Sequence, residues 1–167
     1  MGRPFSELPR WYLFGLLIPY VALFFKLWRP LPLRLSPAGR LTASASGAVL
    51  SLLGMGLVIW GRLALGRMYN VSSALGNRLY ADQELVTTGP FALVRHPMYV
   101  GALIACVGGV LLYRTWAAVM ILAHEAVFWV RAGREEQALA AEFGDTWRRY
   151  ARRVPSGVPV LGGPVHP

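Results

Sequence analysis

A single cysteine, Cys106, leaves no partner for an internal disulfide and no basis for a cysteine-ligated metal site. It lies inside an apolar run and reads as a packing residue. Acidic residues are scarce, eight against seventeen basic ones, and charged residues make up only 15% of the 167. With 55% hydrophobic content and a mean hydropathy of +0.44, this excludes the ordinary soluble domain. Lysine is nearly absent: Lys26 stands alone against sixteen arginines. Together with abundant Ala, Gly, Leu and Val, that usage reads as a GC-rich bacterial coding bias and so as a bacterial inner membrane.

The composition predicts an all-α integral membrane bundle in one domain over residues 1–167. Four apolar stretches approach spanning length: Trp11 to Trp28, Thr42 to Leu65, Met98 to Tyr113 and Trp116 to Val130. The last two are short and call for tilt, local thinning or a broken helix. Residues 1–65 hold two N-terminal spans, 66–97 a cytosolic connector, and 98–167 the motif-bearing region. A runner-up arrangement adds a fifth, interfacial segment within 62–94. The first stretch ends at Trp28 and Arg29 with no small-residue cleavage site, which favours a retained anchor over a signal peptide.

The formal net charge of +9 raises nucleic acid as a partner. The basic residues, however, flank apolar helices instead of alternating with stacking aromatics, so the reading is no nucleic acid but a lipid bilayer. If all four stretches span, twelve arginines fall on the side of the termini and of the 62–97 loop, and five basic residues, Lys26, Arg29, Arg34, Arg40 and Arg114, on the other. The positive side puts the termini and any site near residue 96 in the cytoplasm.

Pro30, Pro32 and Pro37, with Ser36 and Gly39, form a breaker-rich turn between the first two spans. Ala43, Gly47, Ser51 and Gly54 give the second span a small-residue face for close helix approach, and Gly101, Ala105 and Gly109 do the same for the third. Past Val130 the pattern Glu135, Glu136, Leu139, Phe143 keeps a helical rhythm with polar residues between, so the helix should run on into water until Pro155, Gly157 and Pro159 end it.

The chemistry concentrates in two places. Pro97 disfavours the α conformation at His96 and suits a helix's first turn, so Arg95, His96 and Tyr99 stand at a helix entrance. In the fourth span His124, Phe128, Arg131 and Glu135 recur at steps of four, three and four, which predicts one helix face running from membrane depth to the cytosolic edge. His124 and Glu125 are costly at that depth. They are either functional groups facing a wet cavity or polar packing contacts to a neighbouring helix.

These residues resemble the isoprenylcysteine carboxyl methyltransferases and their relatives among integral membrane methyltransferases, the phospholipid N-methyltransferases included. The resemblance runs from about Leu85 to Gly162. It is carried by Leu85-Val86, Gly89, Arg95-His96-Pro97-x-Tyr99-x-Gly101, Arg131, Glu135-Glu136-x-x-Leu139, Phe143-Gly144 and Tyr150, and by the tail Arg153-Val154-Pro155-Ser156-Gly157-Val158-Pro159. It implies S-adenosylmethionine-dependent methyl transfer, with the cofactor reached from the cytosol and a lipophilic acceptor from the bilayer. By the same resemblance the cofactor contacts would be Gln83, Glu84, Leu85, Val86, Phe91, His96, Pro97, Met98, Tyr99, Glu135 and Glu136. Arg131 and Glu135 would be catalytic, with Arg131 facing the acceptor. The chain departs from the family at Gln83-Glu84, where a His-Thr pair is usual, and at Phe91, which replaces a Tyr.

Two acceptors remain open. A carboxylate, of pKa roughly 3.5, is already ionised and needs no base, and Arg131 could grip it with a two-pronged hydrogen bond. A phosphatidylethanolamine-type amine must first lose a proton, and His124 or Glu125 would then act on the substrate side as base. A non-catalytic scaffold keeping the same fold is the third possibility.

Overall fold

The computed structural model describes residues 10–66 and 84–158, with side chains from residue 17 onward in the first helix. Among these residues all regular structure is helical: α1 (Arg10–Lys26), α2 (Pro37–Leu65), a 3-10 turn (Gly89–Ala92), α3 (Pro97–Tyr113), α4 (Trp116–His124) and α5 (Ala126–Arg153). Three of the four expected spans are thus single helices close to their expected bounds. The connector expected over 66–97 is described only from Glu84 onward, and Gln83 lies outside the described residues.

Pro37, expected in the breaker-rich turn, is instead the first residue of α2. Its fixed φ and missing N–H cost nothing at that position, and the Ser36 hydroxyl accepts the Gly39 N–H at 3.1 Å as the cap. At 29 residues α2 is the one described helix both long and apolar enough to cross a membrane, and it exposes Leu41, Val49, Leu52, Leu53, Ile59 and Leu63. Leu17–Lys26 and Pro97–Tyr113 are shorter apolar helices.

Antiparallel α2 and α3 form the centre. Gly47, Gly54 and Gly61 recur every seven residues, the period that keeps one stripe facing a neighbouring helix, and all three are buried. A Cβ at Gly47 would stand 2.6 Å from the Gly108 carbonyl oxygen, one at Gly54 would stand 2.5 Å from that of Gly101, and one at Gly61 would stand 2.8 Å from Met98 Cγ. Gly54 is therefore a packing residue. The stripe on α3 runs through Gly101 and Gly108; Gly109, expected to share it, has nothing within 4 Å of its Cβ direction. Glycine at these crossings lets the backbones touch, so dispersion along the whole helix length replaces the hydrophobic drive that lipid cannot supply.

At the end of the bundle away from His96, the Leu31 N–H donates to the Arg114 carbonyl (2.7 Å), that of Trp116 to Arg29 (3.1 Å) and that of Ala117 to Leu27 (2.8 Å). Arg114, in the left-handed region at φ 51°, caps α3 and donates to Ser44 Oγ at 3.0 Å. The two connectors expected on one side of the membrane do meet.

The fourth span is not one helix. The N–H of Glu125 reaches back three residues to Leu122 (3.1 Å) and that of Phe128 to Glu125 (2.9 Å), a tightened 3-10 turn that divides α4 from α5. The change of winding shifts helical phase, and the single face expected from His124 to Glu135 is broken above Phe128. Beyond it α5 does continue as a polar helix to Arg153, with one interruption at Gly144 (φ 49°, ψ −121°).

Candidate functional site

The site forms where the entrance of α3 meets the middle of α5. His96 is non-helical (φ −122°, ψ 62°) and Pro97 opens α3, as the His-Pro pair predicts. The His96 carbonyl still accepts the first helical hydrogen bond, from the Val100 N–H at 3.0 Å. Its ring is thereby fixed at the helix mouth, stacked on Tyr99 with centroids 5.5 Å apart and planes 11° from parallel.

Tyr99, one turn into α3, donates its phenol to Glu135 Oε1 at 2.7 Å. Arg131 Nε donates to the same oxygen at 3.0 Å, an i,i+4 pair on α5. The Arg131 guanidinium also lies 5.9 Å from the Tyr99 ring centroid, and the Phe128 ring 5.2 Å from that ring. The helical steps from Phe128 to Arg131 to Glu135 therefore do present one face to α3. Glu135 and Arg131 keep about a third of their side-chain surface open (31% and 30%), so this cluster can meet a ligand. The Arg131 ion pair uses Nε alone, which leaves the Nη1/Nη2 edge as a fork of the shape a carboxylate takes.

Glu136 turns the other way. It is buried, with Oε1 3.0 Å from His96 Nε2 and Oε2 2.9 Å from Arg95 Nη1. Arg95 in turn sits 5.8 Å over the ring of Trp147, which is buried to 2% exposure, and Trp147 packs on Tyr150 at 5.5 Å. The Tyr150 hydroxyl donates to the Phe91 carbonyl at 2.7 Å, and burial pushes that phenol up to about 12, the Arg95 charge pulling against it and Glu136 adding to it. Two buried donors here, Arg95 Nε and Trp147 Nε1, have no acceptor among the described residues.

The tail after α5 closes the arrangement. The Arg95 N–H donates to the Pro155 carbonyl (2.8 Å) and the His96 N–H to that of Ser156 (3.3 Å). Gly157, at φ 77°, lies against the helix entrance: a Cβ there would stand 2.7 Å from Val100 Cγ2.

Of the residues singled out in the sequence, His96, Tyr99, Arg131, Glu135 and Glu136 are brought together. Pro97 is buried at the head of α3, with Met98 half-buried beside it against Gly61. Glu84 is exposed, Leu85 and Val86 are half-buried, and Phe91 is buried with its carbonyl taken by Tyr150. His124 and Glu125 lie elsewhere. The His124 ring is exposed beside Tyr20 of α1 at 6.2 Å, while buried Glu125 accepts the Cys106 thiol at 3.5 Å. Cys106 is thus a polar partner as well as a packing residue. Nothing in residue order points directly to the Arg95–Glu136 pair or the Gly157 seat; the unlike charges beside His96 and Glu135 are the one signal that bears on the pair.

The family model for phospholipid methyltransferases matches residues 42–146, which take in α2 from Thr42 onward, α3 and the His96, Tyr99, Arg131, Glu135 and Glu136 side chains. The protein-S-isoprenylcysteine O-methyltransferase of Schizosaccharomyces pombe is 34% identical over 94 residues, 54% of this chain and 39% of that one. Isoenzyme B from Arabidopsis thaliana is 42% identical over 83 residues (47% and 41%). The cobalt-zinc-cadmium resistance protein CzcN of Cupriavidus metallidurans is 35% identical over 109 residues (59% and 50%). Among solved structures, a eukaryotic intramembrane Ras methyltransferase, the isoprenylcysteine carboxyl methyltransferase, superposes with a TM-score of 0.61 at 26% identity over 71% of this chain and 42% of its own. The chain spans about two fifths to half the length of these relatives. With the matched region reaching across the glycine-packed helix pair and the His96–Glu135 cluster, the chain belongs to the phospholipid methyltransferase family.

Proposed function

We propose that the protein is an integral membrane methyltransferase that uses S-adenosylmethionine to methylate the carboxylate of a prenylated cysteine or related isoprenoid acid, its site facing the cytoplasm. The relatives named above as isoprenylcysteine methyltransferases support this reading, as does the solved structure of that name. The observation that carries it is the shared Glu135 oxygen, which holds Tyr99 and Arg131 on one side of a half-open cluster.

The side chains present fit such a cofactor. Its ammonium and ribose hydroxyls need acceptors, which Glu135 supplies, and its own carboxylate needs donors in a region that carries Arg95, Arg131 and two orphaned N–H groups. When bound, it supplies an electrophilic methyl group. Arg131 would orient the acceptor carboxylate by its Nη fork, Glu135 would hold the cofactor, and the apolar helices would keep water from competing for the ionised carboxylate.

A carboxylate acceptor needs no base, and the described contacts of His124 and Glu125 lie with Tyr20 and Cys106, away from the Tyr99–Glu135–Arg131 contacts. That placement favours the carboxyl reading over an amine acceptor. The family description keeps phospholipid amines as the second reading. The test is transfer of isotopic methyl to a farnesylated cysteine analogue and to phosphatidylethanolamine by detergent-solubilised protein. Alkali releases the label from a methyl ester as methanol but not from an N-methyl group. Base-labile label on the prenyl acid is expected; base-stable label on the lipid alone would transfer the assignment to the amine reading.

A further inference from the structure

Neighbouring acids on α5 are handled oppositely by the fold. Successive helical residues point about 100° apart, so with Glu135 aimed at Tyr99 and Arg131, Glu136 must face elsewhere. The Glu135 side chain is 31% exposed and that of Glu136 only 4%. Both Glu136 oxygens are spent, Oε1 on His96 Nε2 at 3.0 Å and Oε2 on Arg95 Nη1 at 2.9 Å.

A carboxylate paired with a guanidinium can only accept. His96 Nε2 must therefore carry the proton, and in the neutral ring the lone pair sits on Nδ1. Nδ1 lies 3.9 Å from Glu135 Oε2, beyond hydrogen-bond range of any proton between them alone. The ring cannot swing to change this. It is stacked on Tyr99 and held at Nε2 by Glu136.

Resting on the methyl-transfer reading above, we infer that Glu136 is a positioning residue and not a contact for the methyl donor. It fixes His96 as the Nε2–H tautomer and so turns Nδ1, as an acceptor, toward the Glu135 side of the site. Nδ1 and Glu135 Oε2 then make two acceptors spaced to share one N–H or O–H donor, of the kind an ammonium or a hydroxyl on the methyl donor provides. Arg95 keeps the carboxylate aimed at the ring, and Trp147 covers Arg95 from behind.

The chain has three histidines, His96, His124 and His166, so ring-nitrogen NMR of detergent-solubilised, 15N-histidine-labelled protein can read the tautomer, with His96 assigned by its loss in His96→Gln. In alkaline buffer, where the rings are neutral, the expected wild-type spectrum has His96 protonated at Nε2 and bare at Nδ1. Glu136→Gln should mix the two tautomers and weaken S-adenosylhomocysteine binding about tenfold or more, with Glu136→Asp partly restoring both. In a His96→Gln background the same substitution should add less than twofold.

A proton on Nδ1 in the wild type, or an equal loss of affinity in both backgrounds, would overturn the assignment and leave Glu136 a plain structural ion pair. The tautomer readout needs no ligand, so it judges Glu136 even if Glu136→Gln fails to fold. Failure of the wild type to bind S-adenosylhomocysteine would count against the methyl-transfer reading instead.

Discussion

Gly54 and Gly101 set the two central helices against each other backbone to backbone: a Cβ on either would lie 2.5–2.6 Å from the other's carbonyl oxygen. Neither neighbour is a flexible side chain that could yield. Gly54→Ala should therefore cost about 1–3 kcal/mol through forced separation of α2 from α3. Gly56→Ala, two residues along the same helix with nothing within 4 Å, should be neutral or gain up to about 1 kcal/mol in helix propensity. Thermal unfolding of both variants in one detergent checks the contrast, and equal midpoints would refute the backbone-contact account.

Tyr99→Phe removes the 2.7 Å donor to Glu135 and leaves ring stacking on His96 in place. A hydrogen bond to a charged acceptor, discounted for the cluster's partial exposure, is worth roughly 1–2 kcal/mol. Because the bond is formed without ligand, the loss falls on stability; affinity for S-adenosylhomocysteine should drop severalfold as Glu135 loses the donor that orients it, and the unfolding midpoint should fall by a few degrees. Titration calorimetry gives the first quantity and a melt the second.

Tyr150 makes stability fall in strong alkali. Its phenol is raised from the ordinary 10.0 to about 12 in the folded protein. Below pH 10 the group is neutral in both states and its contribution is intact. Between pH 10 and 12 the unfolded chain ionises it while the folded chain does not, so stability declines with rising pH and the contribution is gone once pH passes 12. The unfolding midpoint should drop across that window, and Tyr150→Phe should flatten the drop while costing about 1 kcal/mol at neutral pH for the Phe91 carbonyl left without its donor.

Gly144 interrupts α5 with φ 49° and ψ −121°, a combination L residues reach only under strain. Its Cβ direction is open, so Gly144→Ala tests conformation without steric clash. A loss of about 1–3 kcal/mol is expected. The segment carrying Trp147 and Tyr150 should also shift, seen as increased quencher access to tryptophan fluorescence.

The helices whose ends carry chemical punctuation were legible in the sequence. His96-Pro97 marked the start of α3 to within one residue, and Pro155 and Gly157 marked the end of α5. Pro37 misled because proline both breaks helices and begins them, and only the Ser36 hydroxyl on the Gly39 N–H decides which. The face from Phe128 to Glu135 followed from period alone. Its extension to His124 failed because a change from four-residue to three-residue hydrogen bonding at Glu125 leaves no trace in hydrophobic rhythm. The choice between Gly108 and Gly109 likewise depends on helix rotation, which composition does not encode.

The bonds from Arg95 and His96 to Pro155 and Ser156 join the head of α3 to a stretch synthesised some sixty residues later. As the chain leaves the ribosome, the imidazole emerges with its amide still unclaimed, and the carbonyls that capture it arrive only after all three intervening helices have been made. Assembly of the reactive end is therefore a late event in biogenesis, and a nascent polypeptide halted before Pro155 would hold every ring and charge of the cluster yet lack the clasp that orients them.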